Sequence, residues 1–299
     1  MRISTSQIFN QSLKSMQRQQ SELQISQAQL SSGLKLLKPS DDPIGIGRSL
    51  NLEASLASLE QYGRNSLRAE SSLNLQEQTL ESTAESVQRL RELTLQGGVP
   101  SNDGKERRLL AEEVNAQINI LLGLANTRDE NGEYIFAGSR TDQQPFVRNT
   151  SEDVLYEGSQ TPKELALNGS TTIQVRDPGD ALFVAAEGNI FAAAKQLKEL
   201  LASDSGNISS GIESVLEQLG KSQETLNANR ATVGARLNQV ELADDINAGI
   251  KLQLQTLLSE TRDADYFETI SRFNQQLTAL EAVQKTFMQV SELSLLKFF

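Results

Sequence analysis

The 299-residue chain contains no cysteine and no histidine. That excludes a thiolate nucleophile, an imidazole base, a disulfide and a zinc site of the usual ligands. Tryptophan is absent too, aromatics make up 5% of residues, and 6 prolines serve the whole length. So few large rings are a lean supply for one broad globular core, and they suit long helices that bury narrow stripes. No run of about 18 apolar residues occurs, so no membrane insertion is expected. A formal charge of -11 with no cluster of lysine or arginine repels phosphate backbones, so nucleic acid is not an expected partner. The opening Met1-Arg2-Ile3-Ser4-Thr5-Ser6-Gln7 lacks an apolar h-region and a cleavage site, so a cleaved secretory signal is not expected. A cysteine-free chain fits a reducing cytosol. It also fits a chain threaded unfolded through a channel, where cross-links would be harmful, and composition leaves both readings open.

What the chain does have is helical periodicity. From Thr5 to Lys38, Met16, Leu23, Leu30 and Leu37 recur every seven residues, with Ile25, Ala28 and Leu34 thickening the stripe. This predicts an amphipathic helix of coiled-coil period with a nearly uncharged polar face. Lys38-Pro39-Ser40-Asp41-Asp42-Pro43 breaks it, and Ser or Asp beside Pro43 reads as a helix N-cap. From Ile44 to Gln96 a second helix carries Leu52, Leu59, Ser66, Leu73, Leu80 and Val87 one heptad apart, accompanied by Tyr62, Ala69, Gln76, Thr83 and Leu90. A shorter helix is predicted from Lys105 to Arg128.

The middle changes character. Asn131-Gly132 leads into the strand-like Tyr134-Ile135-Phe136, and Val154-Leu155-Tyr156 and Leu165-Ala166-Leu167 read as further strands. Asn168-Gly169 joins the last of these to Thr171–Val175 as a hairpin. Helices return near Asp180. Ile212, Val215, Leu219, Leu226, Val233, Leu237 and Val240 mark a seam that Ile250, Leu254, Leu257 and Ala264 continue. The last segment carries Phe267, Ile270, Phe273, Leu277, Leu280, Val283, Phe287, Val290 and Leu293, then Leu295, Leu296 and Phe298. An apolar end without charge calls for something to cover it. The predicted fold is mainly α: an elongated antiparallel rod of long helices with a small β-rich insert.

Candidate chemical sites are weak. Asp41-Asp42 reads as capping sooner than as a metal pair, and Asp244-Asp245 and Asp263-Ala264-Asp265 read as solvated helix faces. Asp129–Glu133 lacks the acidic alternation and distal Glu of a calcium loop. Gly45-Ile46-Gly47 lacks the third glycine and the preceding strand of a dinucleotide fingerprint. Neither catalysis nor a cofactor is expected.

Two motifs are specific. Leu30-Ser31-Ser32-Gly33-Leu34-Lys35, followed by Pro39-Ser40-Asp41-Asp42-Pro43-Ile44-Gly45, resembles the motif near the start of bacterial flagellins and their hook–filament junction proteins. Gln275–Ala282, through Ser294-Leu295-Leu296, is similar to the matching C-terminal motif. Met1–Thr5 and Gly132–Ser139 followed by Gln144-Pro145-Phe146 resemble the junction branch of that family. The resemblance implies a structural subunit of the bacterial flagellum, extracellular, exported unfolded by the flagellar type III apparatus with a dedicated chaperone and the export gate. It implies hook-associated protein 1, flagellin and copies of the chain in a helical ring as partners. Flagellin itself, or a cytosolic coiled-coil adaptor, stands as the alternative.

On this reading the chain divides into an N-terminal assembly helix (1–43), a rod half (44–140), a β-rich insert (141–185), a second rod half (186–264) and a C-terminal assembly helix (265–299). The expected assembly interface is Met16, Leu23, Leu30, Leu34 and Leu37 with Phe267, Ile270, Leu277, Leu280, Phe287, Val290, Leu295 and Leu296. The family motif residues are Ser32, Gly33, Asp41, Asp42, Pro43 and Gly45. The terminal segments are expected to order fully only on assembly.

Overall fold

The computed structural model describes residues 2–99, 103–185, 188–203 and 208–295, without side-chain detail at 2–6, 8 and 290–295. These residues form seven helices and three two-stranded antiparallel sheets. They divide into two compact units, Met1–Ser58 with Gly249–Phe299, and Leu59–Ala248.

The larger unit is built on the predicted seam. Helix α2 (Pro43–Gly97) buries Ser66, Leu73, Leu80 and Val87 in one row and Ala69, Gln76, Thr83 and Leu90 in the other. Helix α6 (Ser209–Arg262) buries Val215, Leu219, Leu226, Val233 and Val240. Helices α3 (Gly104–Ala125) and α5 (Ile190–Ala202) add Val114, Leu121, Leu197 and Leu201 to the same core. Each fully buried leucine or valine stabilises the fold by about 1.5–3 kcal/mol before strain and entropy. Buried threonines of α2 are satisfied within the helix, the Thr83 hydroxyl donating to the Thr79 carbonyl at 2.7 Å and Thr94 to Leu90 at 2.6 Å, while the Gln76 amide donates to Asp177 at 2.9 Å. Asp103 and Glu106 open α3 with a reciprocal capping box.

The insert packs on this core. Strands β1 (Phe146–Arg148) and β2 (Val154–Tyr156) pair, as do β3 (Lys163–Ala166) and β4 (Thr172–Arg176), the hairpin predicted at Asn168-Gly169. Phe136, Phe146, Phe183 and Phe191 form an edge-to-face and stacked cluster with ring centroids 5.1–6.2 Å apart. Phe183 closes the short helix α4 (Asp180–Phe183), and strands β5 (Val184–Ala185) and β6 (Gly188–Asn189) follow. Side-chain amides dock the β3–β4 hairpin: Asn65 donates to the Ala166 carbonyl and Asn247 to the Leu167 carbonyl, both at 2.8 Å. Arg176, only 6% exposed, pairs with Asp129 at 2.5 Å and Glu133 at 2.7 Å.

Three expectations change. Tyr134-Ile135-Phe136 is not a strand, because Gly132 and Gly138, with φ of 78° and 61°, turn the chain on either side and leave only isolated bridges. Phe146–Arg148, unmarked in the sequence reading, is one. On α6, Ile250 is exposed and Leu258 takes the buried position.

Candidate assembly site

The smaller unit pairs the two terminal helices. Helix α1 (Arg2–Ser32) and helix α7 (Tyr266–Leu295) run antiparallel: Phe9 meets Phe287 with ring centroids 5.0 Å apart, and the Ser26 hydroxyl donates to Gln276 Oε1 at 2.7 Å. Met16, Leu23 and Leu30 on α1 and Phe273, Leu280, Val283 and Phe287 on α7 are half-buried, as partners in a two-helix seam must be. Two helices cannot enclose one another, so each seam residue keeps one flank open.

The family motif residues form the corner between α1 and α2. Gly33 ends α1 at φ 73°, a left-handed conformation that a β-carbon penalises, with its N–H donating to the Gln29 carbonyl at 2.9 Å. A β-carbon there would also lie 2.9 Å from the Tyr266 hydroxyl. The Ser32 hydroxyl accepts the Leu34 N–H at 3.2 Å and donates to the Ala28 carbonyl at 2.8 Å. Asp41 accepts the N–H groups of Leu37 and Lys38 at 3.2 and 2.9 Å, bracing the turn. Asp42 caps α2, accepting from Ile44 and Gly45 at 3.1 and 3.0 Å, with Pro43 at the first helical position, where no N–H is needed. A β-carbon on Gly45 would stand 2.5 Å from the Asp42 carboxylate and 2.9 Å from Leu36, so glycine permits both the cap and the burial of Leu36.

The same corner holds the link between α6 and α7. Leu34 forms an antiparallel bridge with Asp263, flanked by Lys35 N–H to the Arg262 carbonyl at 2.7 Å and Ala264 N–H to the Gly33 carbonyl at 2.9 Å. Arg262 reaches back to Glu53 at 2.8 Å. Asp265 caps α7 through the N–H groups of Phe267 and Glu268. Asp265 is therefore not a helix-face carboxylate, and Asp-Tyr-Phe-Glu before an apolar run is the sequence signal that marks it.

Two other sequence expectations give way here. Helix α1 stops at Ser32, so Leu34 and Leu37 lie in the link, half-buried, and the heptad from Leu30 to Leu37 is not a helical register. Ile25 faces solvent, because two residues beyond Leu23 is a rotation of about 200°. The unit leaves apolar side chains exposed: Phe267 is 89% exposed, Ile44 84%, and Ile270 and Leu277 are also exposed. The side chains of Val290 and Leu295, and all of Leu296, lie outside the described residues. Among the described residues no acidic group is arranged to hold a metal, and no helix is long and apolar enough to cross a membrane.

Residues 3–141 match the bacterial flagellin N-terminal helical region. The flagellar hook-associated protein 3 of Escherichia coli is 28% identical over 99% of this chain and 98% of its own. That of Salmonella typhimurium is 26% identical over the same shares. A crystal structure of hook-associated protein 3 from Legionella pneumophila shares the fold, with a TM-score of 0.65 at 21% identity, over 70% of this chain and 97% of its own.

Proposed function

The chain is a flagellin-like protein similar to hook-associated protein 3, and on that premise we propose that it is a structural subunit joining the flagellar hook to the flagellin filament. The observation that carries this reading is the pair of terminal helices closed on one another yet apolar outside, at Phe267, Ile270 and Leu277. Apolar side chains so exposed on one copy gain by burial against another. Head-to-tail repetition of such a contact builds a helical lattice.

In this reading hook-associated protein 1 lies on one side and flagellin on the other, with copies of the chain completing a ring between them. Residues 1–43 and 265–299 act as the assembly helices, 44–140 and 186–264 as rod halves, and 141–185 as an insert. The interface comprises Met16, Leu23, Leu30, Leu34 and Leu37 with Phe267, Ile270, Leu277, Leu280, Phe287, Val290, Leu295 and Leu296. The protein performs no catalysis and needs no cofactor. It leaves the cell unfolded through the flagellar export gate, handed over by a chaperone, and the lack of cysteine suits that threading. The terminal helices order fully only on assembly, which defers their entropy cost and restrains premature polymerisation.

Deleting the gene tests the reading. Hook-bearing cells without filaments that release flagellin as monomer are the expected result, and ordinary filaments on the deletion strain would refute it.

A further inference from the structure

The β3–β4 hairpin turns at Asn168-Gly169, and the Asn168 side-chain oxygen accepts three hydrogen bonds. Its Oδ1 accepts from the Ser170 N–H at 2.9 Å, the Thr171 N–H at 2.7 Å and the Ser170 hydroxyl at 3.1 Å. Three donors converging on one amide oxygen polarise its carbonyl carbon and stabilise negative charge on that oxygen. The next residue has no side chain to hinder approach, and Gly169 is exposed to water. We propose that Asn168 is a site of spontaneous deamidation, with the hairpin turn acting as an oxyanion cradle for attack by its own backbone.

The chemistry balances with water and hydroxide alone. Hydroxide takes the Gly169 amide proton, and the nitrogen attacks Asn168 Cγ. The carbonyl π pair moves onto Oδ1, where the three donors meet it. The pair returns, the Cγ–Nδ2 bond breaks, and the nitrogen leaves as ammonia after gaining a proton from water. Water then opens the cyclic imide at either carbonyl, leaving an aspartyl or an isoaspartyl residue. Either product places a carboxylate beside Leu167, whose carbonyl accepts from the buried Asn247 amide at 2.8 Å. The isoaspartyl form also lengthens the turn by one backbone carbon.

The chain carries its own control. Asn131-Gly132 has the same two residues, but its Gly132 N–H is tied to the Asp129 carbonyl at 2.9 Å and the Asn131 N–H to the Asp129 carboxylate at 2.9 Å. Folding therefore favours reaction at Asn168 and hinders it at Asn131.

The test incubates the purified full-length chain in mildly alkaline buffer, folded and urea-unfolded, and follows both asparagines by peptide mass mapping. The ratio of conversion at Asn168 to that at Asn131 should be several-fold higher in the folded chain. An equal or lower ratio on folding overturns the proposal. Ser170→Ala, at an exposed position, should slow the folded-state reaction at Asn168 and leave Asn131 unchanged. An unaltered rate at Asn168 in that variant would also overturn it.

Discussion

The backbone N–H of Ala264 donates to the carbonyl of Gly33 at 2.9 Å, joining the end of α1 to the approach to α7 at the residue where the chain turns left-handed. With the neighbouring Lys35 to Arg262 bond, this two-bond clasp fixes how the terminal helices meet. Each such bond contributes about 1 kcal/mol net. A clasp of that size, with one narrow seam, leaves the helix pair only marginally stable on an isolated chain.

Limited proteolysis of the isolated protein checks this. Cleavage within 1–43 and 265–299 should precede cleavage of the 59–248 core, and equal resistance at both would contradict ordering on assembly. Gly33→Val should make the ends still more sensitive. Its β-carbon at φ 73° costs roughly 1–2 kcal/mol and stands 2.9 Å from the Tyr266 hydroxyl. The core fragment should survive as in the parent.

Leu277 and Phe287 separate the outer face from the inner seam. Leu277 is exposed, so Leu277→Asp should leave the monomer soluble with unchanged helix content while abolishing filament attachment, because assembly would bury the charge. Phe287 packs on Phe9, so Phe287→Asp should block attachment and also lose helical signal at the ends. An aromatic pair adds about 0.5–1.5 kcal/mol beyond its buried area. Far-UV circular dichroism and counts of filament-bearing cells read the two effects. Normal attachment with both changes present would sink the assigned interface.

Arg176 gives the insert an acid-sensitive lock. Burial alone would raise the carboxyls of Asp129 and Glu133, but other contacts outweigh it and hold both below the usual carboxylate range. For Asp129 these are the Glu133 backbone N–H and the Arg176 charge; for Glu133 they are the Lys163 hydrogen bond and Arg176. A depressed folded-state pKa stabilises above the unfolded value and loses that contribution as pH falls through the folded value. Thermal stability of the isolated protein should therefore fall as pH drops through and below the ordinary carboxylate range. Arg176→Met should cost about 1–3 kcal/mol at neutral pH, since the half-buried Asp129 loses its charged partner while Glu133 keeps Lys163. It should also flatten the acid limb of the pH–stability curve. A variant melting with the parent's pH dependence would refute the lock.

How much of the site could be read beforehand depended on whether the signal was local. Asp42 capping α2 with Pro43 behind it is a one-turn relationship, and the residues alone announce it. The Ser66-to-Leu90 heptads on α2 are equally local, since a 3.5-residue spacing carries its own buried face. Ile25 and Leu37 depart from the pattern, because Leu37 keeps the seven-residue spacing beyond the end of α1 and Ile25 lies across the helix from Leu23. Asp265 carries a local capping signal that its acidic neighbour Asp263 obscures in the sequence.

By itself the sequence determined that the chain is mainly α, the extent of α2, the β3–β4 hairpin, and the exclusion of thiol, imidazole and zinc chemistry. Those properties follow from residue type and from spacings within a turn or two. Tertiary structure decided that Phe9 meets Phe287, that Ser26 bonds Gln276, and that Gly33 lies under Tyr266 and beside Ala264. These pairs lie more than two hundred residues apart, where no periodicity reaches. Which flank of each terminal helix is spent on the other, and which remains free for a neighbour, exists only once both helices are placed.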